Sequence, residues 1–398
     1  MHMSNAGAIN RVLQSNFEAF PETRTKWLIG AGISVLRGAI GTQLFVSGSA
    51  LSRPHGTLSF SVGRVTPALK AMLHGSPVLS LGWATRERNA VVSLLEKIGF
   101  SASSDCDIAI SLNGAIVVFG YLETQPAVAH FTTTQTERRR VARQISGLTR
   151  ARRELAGSDM LSKLPEPLRI ANDFTIQSRV NGKFLDPHEL TVDESTKAIF
   201  SGLEVAGKLQ QLGKGRQTAA RLNPLRLDEI VRVVGTQGRV LLEARDRFER
   251  WFSQVALPSV PTHGDLWIGN LSFNEPISEV KGVIDWESFD KCGLPFFDAL
   301  HLIIMSVSSH RGVPFSEVLI KIWEYDDGYL RMLLDRACWR LGVGRSVLQW
   351  VAIATWINLV AQGTMEPRPN RFASWVDDTV GRTGSIVMNW LALNRHDN

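Results

Sequence analysis

Residues 262–270 of the chain read THGDLWIGN, and residues 283–287 read VIDWE. Two carboxylates and an amide stand out in these stretches: Asp265, Asn270 five residues later, and Asp285 a further fifteen residues on. Two glycines in the first stretch favour a loop, and the apolar pair before Asp285 indicates a short buried strand that ends there. We therefore expect three oxygen-bearing side chains to converge on one site.

These residue types and spacings are those that phosphoryl transfer requires. A carboxylate orients the attacking hydroxyl and accepts its proton, and hard oxygen ligands hold Mg²⁺ against the phosphates. The kinase catalytic loop has the same spacing from Asp to Asn, with a metal-binding Asp shortly downstream. We predict Asp265 as the catalytic base and Asn270 and Asp285 as the metal ligands.

The two stretches resemble the signature of the aminoglycoside phosphotransferase and choline kinase family, H-G-D-x-x-x-x-N followed by I-D-W/F-E. The resemblance implies a two-lobed, protein-kinase-like α+β fold, with a small β-rich upper lobe and a large helical lower lobe. It also implies that His263 braces the catalytic loop through backbone hydrogen bonds. Asp298 matches the family's G-x-P-x-x-D element, in which the carboxylate ties down loop amides near a helix start. Neither residue is expected to take part in the chemistry.

The predicted order of strands and helices fits two lobes. Periodicity and turn residues predict a helix at 87–98, strands at 107–112, 115–122 and 127–132, a basic helix from Glu137 to about Leu155, and a strand at 174–180. Helical patterns dominate beyond that point and predict, among others, helices at 228–254 and 374–393. We expect an N-terminal extension at residues 1–80 without an assigned role, an upper, nucleotide-side lobe at 81–180, and a helical lower lobe at 181–398 that carries the catalytic and metal loops.

The upper lobe departs from the family pattern on its third strand. A nucleotide-binding lobe places a lysine there, paired with a helix glutamate, to meet the α- and β-phosphates. Here His130 stands in the lysine's place, Gln144 stands where the glutamate is expected, and no lysine occurs between Lys97 and Lys163. An imidazole with a pKa of about 6.5 is mostly neutral at pH 7 and does not replace a permanent ammonium.

Three interpretations of this departure stay open. In the first interpretation the upper lobe begins earlier in the chain, and Lys70 and Glu87 are the phosphate-binding lysine and its partner glutamate. Alternatively, His130 meets the phosphates together with arginines of the basic helix, because guanidinium stays charged and binds phosphate in a bidentate manner. ATP affinity would then rise as the pH falls from about 8 to 6. In the third interpretation nucleotide binding is lost or weakened. The arginines concerned are Arg138, Arg139 and Arg143.

Composition argues against several classes of protein. The three cysteines form no Cys-x-x-Cys pair, which disfavours a disulfide framework or a zinc site. The N-terminus lacks the pattern of a signal peptide, and the uncharged run at 346–365 contains enough polar residues to predict a buried helix rather than a membrane span. The net charge is +6, but no aromatic residue interleaves with the arginines at 138–153 to stack on bases. We expect a cytoplasmic protein without membrane or nucleic-acid partners.

The sequence thus predicts an ATP- and Mg²⁺-dependent phosphotransferase that acts on a hydroxyl of a small molecule, such as a sugar or amino alcohol. The alternative is a pseudokinase that keeps the fold to bind a ligand or partner, and a kinase of protein or nucleic-acid components is a third option. The helices after Asp298 mix acidic and basic residues, so a neutral or anionic acceptor fits better than a polycationic aminoglycoside.

Overall fold

The structure is a computed structural model that describes residues 43–46, 57–58, 60–62, 81–82, 99–101, 108–111, 116–131, 135–171, 174–213, 227–255, 257–324, 326–365 and 372–393. The chain divides into two compact units, Met1–Ser146 with Pro165–Arg179 and Gly147–Leu164 with Val180–Asn398. In the part of the chain that the structure describes, the first unit is mainly a β-sheet and the second is mostly helical, which confirms the predicted α+β class. The predicted helix at 87–98 and the pair Lys70 and Glu87 lie outside the described residues.

The first unit contains an antiparallel sheet. The described strands are β1 (Gln43–Val46), β2 (Thr57–Leu58), β3 (Phe60–Val62), β4 (Leu81–Gly82), β5 (Phe100–Ser101), β6 (Ile108–Ser111), β7 (Ile116–Leu122), β8 (Gln125–Phe131), β9 (Pro167–Ile170) and β10 (Phe174–Ser178). They pair in the order β3-β1-β6-β7-β8-β10-β9, with β5 on β7, while β2 and β4 pair separately. Residues 1–80 therefore contribute strands to this sheet.

The β7–β8 hairpin sets the position of His130. A turn at Glu123 and Thr124, where Glu123 adopts φ 57°, joins the two strands. Strand β8 begins at Gln125, two residues before the predicted strand at 127–132, and it pairs with β7 through Pro126. His130 lies opposite Val117 on β7 and Thr175 on β10, so it occupies an interior strand of the sheet.

Helix α1 (Gln135–Glu154) begins in the first unit and ends in the second. The other described helices are α2 (Val192–Leu212), α3 (Leu227–Val234), α4 (Gly238–Val255), α5 (Phe297–Arg311), α6 (Phe315–Glu324), α7 (Gly328–Leu341), α8 (Arg345–Met365), α9 (Phe372–Val376) and α10 (Thr383–Leu393). The described residues of the second unit also contain five short strands: β11 (Lys183–Phe184), β12 (Val260–Thr262), β13 (Leu271–Phe273), β14 (Val280–Val283) and β15 (Asp290–Gly293).

Helices α5 and α8 lie in the core of the second unit. Both are apolar on most sides, which is the pattern of a buried rather than a surface helix. Leu300 and Ile303 of α5 and Val351 and Val360 of α8 are fully buried. Helix α8 covers the uncharged run predicted to be a buried helix. Within the described parts of the chain no single helix is long and apolar enough to cross a membrane, although α7 with Arg345–Thr364, bent by 106°, meets the length and composition criteria as a pair.

Two predicted helices are interrupted. The helix predicted at 228–254 is divided into α3 and α4, because Gly235 adopts φ 64° and a 3₁₀ turn over Gly235–Gln237 follows. The helix predicted at 374–393 contains a π-helical segment at Asp377–Arg382 between α9 and α10. Neither interruption removes the apolar periodicity, which explains why the sequence pattern continued through both.

Candidate active site

The β13–β14 hairpin brings the predicted base and metal ligands together. The catalytic loop, residues 263–270, enters β13, and Asp285 lies just beyond the end of β14. Leu271 pairs with Val283 across the hairpin, and both are fully buried. The backbone N–H of Ile284 donates to the carbonyl of Asn270 at 3.0 Å. Asn270 and the residue before Asp285 are therefore direct neighbours at one end of the hairpin.

The side chain of Asn270 binds the catalytic loop. Its Nδ2 donates to the backbone oxygen of Asp265 at 2.8 Å and to Oδ2 of the same residue at 3.2 Å. Because the amide nitrogen turns toward Asp265, the carbonyl oxygen of this planar group points away from it. Asn270 is buried, whereas the Asp265 side chain keeps an exposed fraction of 31%. Asp265 is thus held in place and still reachable by a substrate.

His263 connects the catalytic loop to the segment that carries Asp285. Its Nε2 lies 2.8 Å from the carbonyl oxygen of Ile284, and its Nδ1 accepts the N–H of Asp265 at 3.2 Å. A carbonyl only accepts and an N–H only donates, so these partners assign the proton to Nε2. Complete burial lowers the pKa of His263 to about 4, which keeps the ring neutral.

Asp298, in the first turn of α5, holds the start of the catalytic loop. Its two oxygens accept the backbone N–H groups of His263 at 2.7 Å and Gly264 at 2.9 Å. Burial raises the pKa of Asp298 to about 6, while these two hydrogen bonds act in the opposite direction. Gly264 has φ 83°, and a Cβ there would lie 2.4 Å from the carbonyl oxygen of Ser288. The loop therefore needs glycine at this position.

Asp285 has an unusual backbone conformation. Its φ of 65° and ψ of 58° lie in the left-handed region, which few residues other than glycine adopt. The neighbouring Trp286 is buried and its Nε1 donates to Val283 at 2.9 Å. Gly147 of α1 packs so closely that a Cβ would lie 2.0 Å from the carbonyl oxygen of Trp286. Packing thus maintains a conformation that is costly for an isolated residue, as is common at functional sites.

The oxygen donors at this site fit Mg²⁺. Among the described residues, no group of three or more His, Cys, Asp or Glu side chains is arranged to hold a metal ion. Mg²⁺ usually takes only one or two protein ligands and completes its shell with water and substrate phosphates. One amide oxygen from Asn270 and one carboxylate from Asp285 match that requirement. Such a pair suits a metal that arrives with a nucleotide.

In the first unit, His130 has a side-chain partner. Its Nε2 lies 3.2 Å from Nε2 of Gln177, so the imidazole nitrogen accepts from the amide. Burial, and then the positive charge of Arg140, lower the pKa of His130 to about 4. In the protein without nucleotide the ring is therefore neutral between pH 8 and 6, which disfavours the expected rise in ATP affinity over that range.

The predicted phosphate-binding arginines lie on the first half of α1. Arg138, Arg139 and Arg143 are exposed, whereas Arg140 is less exposed and lies near His130. Arg140 is not among the arginines predicted to bind phosphate. Helical spacing gave a signal for it, because Arg140 adjoins the buried face formed by Val141, Ile145 and Leu148.

Helix α5 supplies two further polar groups to the catalytic loop that were not among the predicted site residues. Ser306 Oγ accepts the backbone N–H of Ile268 at 3.1 Å. The Nε2 of His301 lies 3.5 Å from Oδ1 of Asp265. His301 follows Asp298 by three residues, which places both on one face of the helix and was the available signal.

A family model described as the phosphotransferase enzyme family matches residues 121–334. No curated protein matches the chain. Among solved structures, the chain is similar to aminoglycoside phosphotransferase APH(3'')-Id from Streptomyces rimosus in complex with ADP and streptomycin (14% identity, TM-score 0.43, 67% of this chain and 98% of that one). Macrolide 2'-phosphotransferase MphH from Brachybacterium faecium has 16% identity and a TM-score of 0.44, over 72% and 97% of the chains. A microcompartment-associated aminopropanol kinase has 12% identity and a TM-score of 0.49, over 76% and 98%.

Proposed function

The chain belongs to the phosphotransferase enzyme family, whose model covers more than half of its length, and we propose that it uses ATP and Mg²⁺ to phosphorylate a hydroxyl group of a small molecule. The family predicted from the two catalytic stretches is thereby confirmed, and with it the kinase-like fold and a phosphotransferase activity toward hydroxyl acceptors. What we propose in addition is that the nucleotide is ATP, that the metal is Mg²⁺ and that the acceptor is a small molecule.

One observation carries the proposal: Asp265, Asn270 and the Asp285 segment are joined by hydrogen bonds at one end of the β13–β14 hairpin. Asp265 is the group that accepts a proton, because it is reachable and its loop is held by His263 and Asp298. A positioned carboxylate of this kind typically accelerates a reaction by about 10²–10⁴-fold.

The reaction balances as a simple displacement. Asp265 takes the proton of the acceptor hydroxyl while the acceptor oxygen forms a bond to the terminal phosphorus of ATP. The bond from that phosphorus to the bridging oxygen breaks, and ADP leaves with the electron pair. When bound, Mg²⁺ neutralises charge on the phosphates, and Asn270 and Asp285 would hold it.

The charges of the second unit support a neutral or anionic acceptor. A cleft for a polycation needs acidic side chains that are not already neutralised. Four acidic side chains after α5 form ion pairs instead: Asp326 with Lys321, Asp327 with Arg311, Asp335 with Arg345, and Asp378 with Arg382. We therefore propose a metabolite with a free hydroxyl group rather than an aminoglycoside.

A pseudokinase is the second candidate, and the neutral His130 is the observation that favours it. At the position where the family resemblance places a permanent positive charge, the ring stays uncharged at physiological pH. Such a protein would keep the fold and bind a ligand or partner without turnover.

Two measurements separate the candidates. Thermal unfolding with ATP and Mg²⁺, compared with ADP, GTP and no nucleotide, should show a specific stabilisation by ATP if the protein is an enzyme, since a ligand that binds only the folded state raises Tm. A screen for ADP release over neutral and anionic hydroxy compounds should then identify an acceptor. No stabilisation by any nucleotide and no turnover would establish the pseudokinase.

A further inference from the structure

His301 is a fully buried polar side chain whose second ring nitrogen faces the catalytic base. Its Nδ1 lies 3.0 Å from the backbone oxygen of Leu266. Because a carbonyl only accepts, Nδ1 carries a proton, and Nε2 of the neutral ring presents a lone pair. Nε2 lies 3.5 Å from Oδ1 of Asp265 and has no hydrogen-bond partner among the described groups.

The two histidines around Asp265 carry their protons on opposite nitrogens. His263 accepts the backbone N–H of Asp265 with Nδ1 and keeps its proton on Nε2. His301 keeps its proton on Nδ1 and turns the bare Nε2 toward the carboxylate. The neutral state of His301 follows from burial, which lowers its pKa. Charged and ring groups near it are Asp265, Asp298, His263 and the ring of Phe297 at 5.8 Å.

A bare imidazole nitrogen and a carboxylate oxygen are both acceptors, so they do not attract each other while Asp265 is ionised. The separation of 3.5 Å is longer than that of an O–H···N hydrogen bond. Once Asp265 holds a proton on Oδ1, that O–H can donate to Nε2. The arrangement therefore places a hydrogen-bond acceptor beside the Asp265 oxygen that would receive the proton of the acceptor hydroxyl.

We propose that His301 is a positioning residue for Asp265, whose bare Nε2 accepts a hydrogen bond from the carboxyl proton that Asp265 removes from the acceptor hydroxyl. This inference rests on the proposed function. The hydrogen bond forms only as the proton is transferred, so it stabilises the transition state and not the bound substrates. Loss of Nε2 should lower kcat and leave both KM values unchanged.

The variant that isolates this atom is His301→Asn. The asparagine amide keeps a donor where Nδ1 meets Leu266, but has no atom at the position of Nε2. A matched control lies on the same helix: Nδ1 of His310 is 3.0 Å from the carbonyl oxygen of Pro187. His301→Asn should lower kcat by about tenfold to a hundredfold, as expected for loss of a hydrogen bond to an ionisable group. His310→Asn should match the wild type.

If His301 only supports the carbonyl of Leu266, His301→Asn will keep kcat within about twofold of the wild type, and the proposal is then wrong. A tenfold to hundredfold rise in KM with kcat unchanged contradicts the proposal too, because a change in KM alone reports lost binding of the substrate in its ground state.

A second measurement is independent of turnover. In protein labelled with ¹⁵N in its histidine rings, the His301 signal, assigned by its loss in His301→Asn or His301→Gln, should show a proton on Nδ1 only. The substitution Asp265→Asn should shift the ¹⁵N resonance of His301 Nε2, since the asparagine amide can donate a hydrogen bond to that nitrogen. A proton on Nε2, or a resonance insensitive to Asp265→Asn, overturns the proposal. If no acceptor is phosphorylated in the screen, the proposed function fails, and this measurement still decides the placement of His301.

Discussion

The catalytic loop of the second unit and strand β8 of the first unit each contain a neutral histidine, but with different partners. His263 bonds to two backbone groups, the carbonyl of Ile284 and the N–H of Asp265. His130 bonds to one side chain, Gln177. Burial is the first cause of the lowered pKa in both cases, and both values are about 4.

A neutral imidazole therefore supports the proposed activity in the catalytic loop and argues against it on strand β8. The catalytic loop requires a neutral ring at position 263, because only that form accepts from Asp265 and donates to Ile284 at once. At position 130 the family resemblance expects a permanent cation, and a neutral ring fails to supply it. A shifted pKa alone does not identify a functional group; its hydrogen-bond partners do.

The largest effect should come from the base itself. Asp265→Ala should lower kcat by about 10²–10⁴-fold while ATP·Mg²⁺ affinity and the fold are kept, because the side chain is partly exposed and acts on the acceptor proton. Turnover is measured as ADP release, and affinity by calorimetry. Asp246→Ala, an exposed aspartate on α4, is the matched control and should behave as the wild type. More than about a tenth of wild-type turnover in Asp265→Ala would remove Asp265 from this role.

The pH dependence of stability compares the two histidines directly. For His263 the folded pKa of about 4 lies below the unfolded value of 6.5, so the unfolded chain binds a proton first as the pH falls. The stability that the neutral His263 ring contributes is therefore fully present above pH 6.5. Between pH 6.5 and pH 4 the free energy of unfolding falls by about 3 kcal/mol on account of this residue. His130 has the same folded pKa of about 4, so its contribution should have the same sign and a similar size.

Urea unfolding at pH 7 and pH 4 measures both contributions. The loss of stability between these pH values should shrink by about 3 kcal/mol in His263→Gln and by a similar amount in His130→Gln, relative to the wild type. A much smaller shrinkage in His130→Gln would show that β8 leaves its histidine more open to solvent than the catalytic loop does. An unchanged loss in His263→Gln would contradict the buried, neutral ring.

The contrast between the two regions also explains which features could be predicted from the sequence alone. The family of the catalytic loop was predictable because the loop's distinctive residues are a few positions apart in one motif. His301 was missed because its position depends on the packing of α5 against a loop 36 residues earlier in the chain. The break at Gly235 was missed because apolar periodicity runs through it, while φ 64° is a property of the backbone and not of the pattern. Arg140 differs from Arg138 and Arg139 only by the side of α1 on which it lies.

The next effect concerns the metal ligand. Asp285→Asn removes a formal charge but keeps an oxygen ligand, and Asn tolerates the left-handed backbone at φ 65° as well as Asp does. We expect ATP affinity in the presence of Mg²⁺ to weaken about tenfold, which is about 1.4 kcal/mol, and affinity without Mg²⁺ to stay the same. Calorimetric titrations with and without Mg²⁺ test this, with Asp246→Asn as the control. Equal Mg²⁺ dependence in wild type and Asp285→Asn would show that Asp285 is not a ligand.

The smallest effect should be found on β8. If this strand faces the nucleotide phosphates, His130→Lys adds the cation that the strand lacks and should tighten ATP binding several-fold, on the scale of a partly screened ion pair. The gain is limited because the charge of Arg140 opposes a second cation nearby, as it already opposes protonation of His130. His130→Gln is the matched variant: it stays neutral, can still bond to Gln177, and should leave ATP affinity unchanged.

Calorimetry at pH 7.5 and again at pH 6.5 should give the same wild-type affinity once ATP and Mg²⁺ ionisation are accounted for, because the ring does not titrate in that range. Unchanged affinity in His130→Lys would mean that β8 does not meet the phosphates, and it would favour the earlier register in which Lys70 supplies the charge.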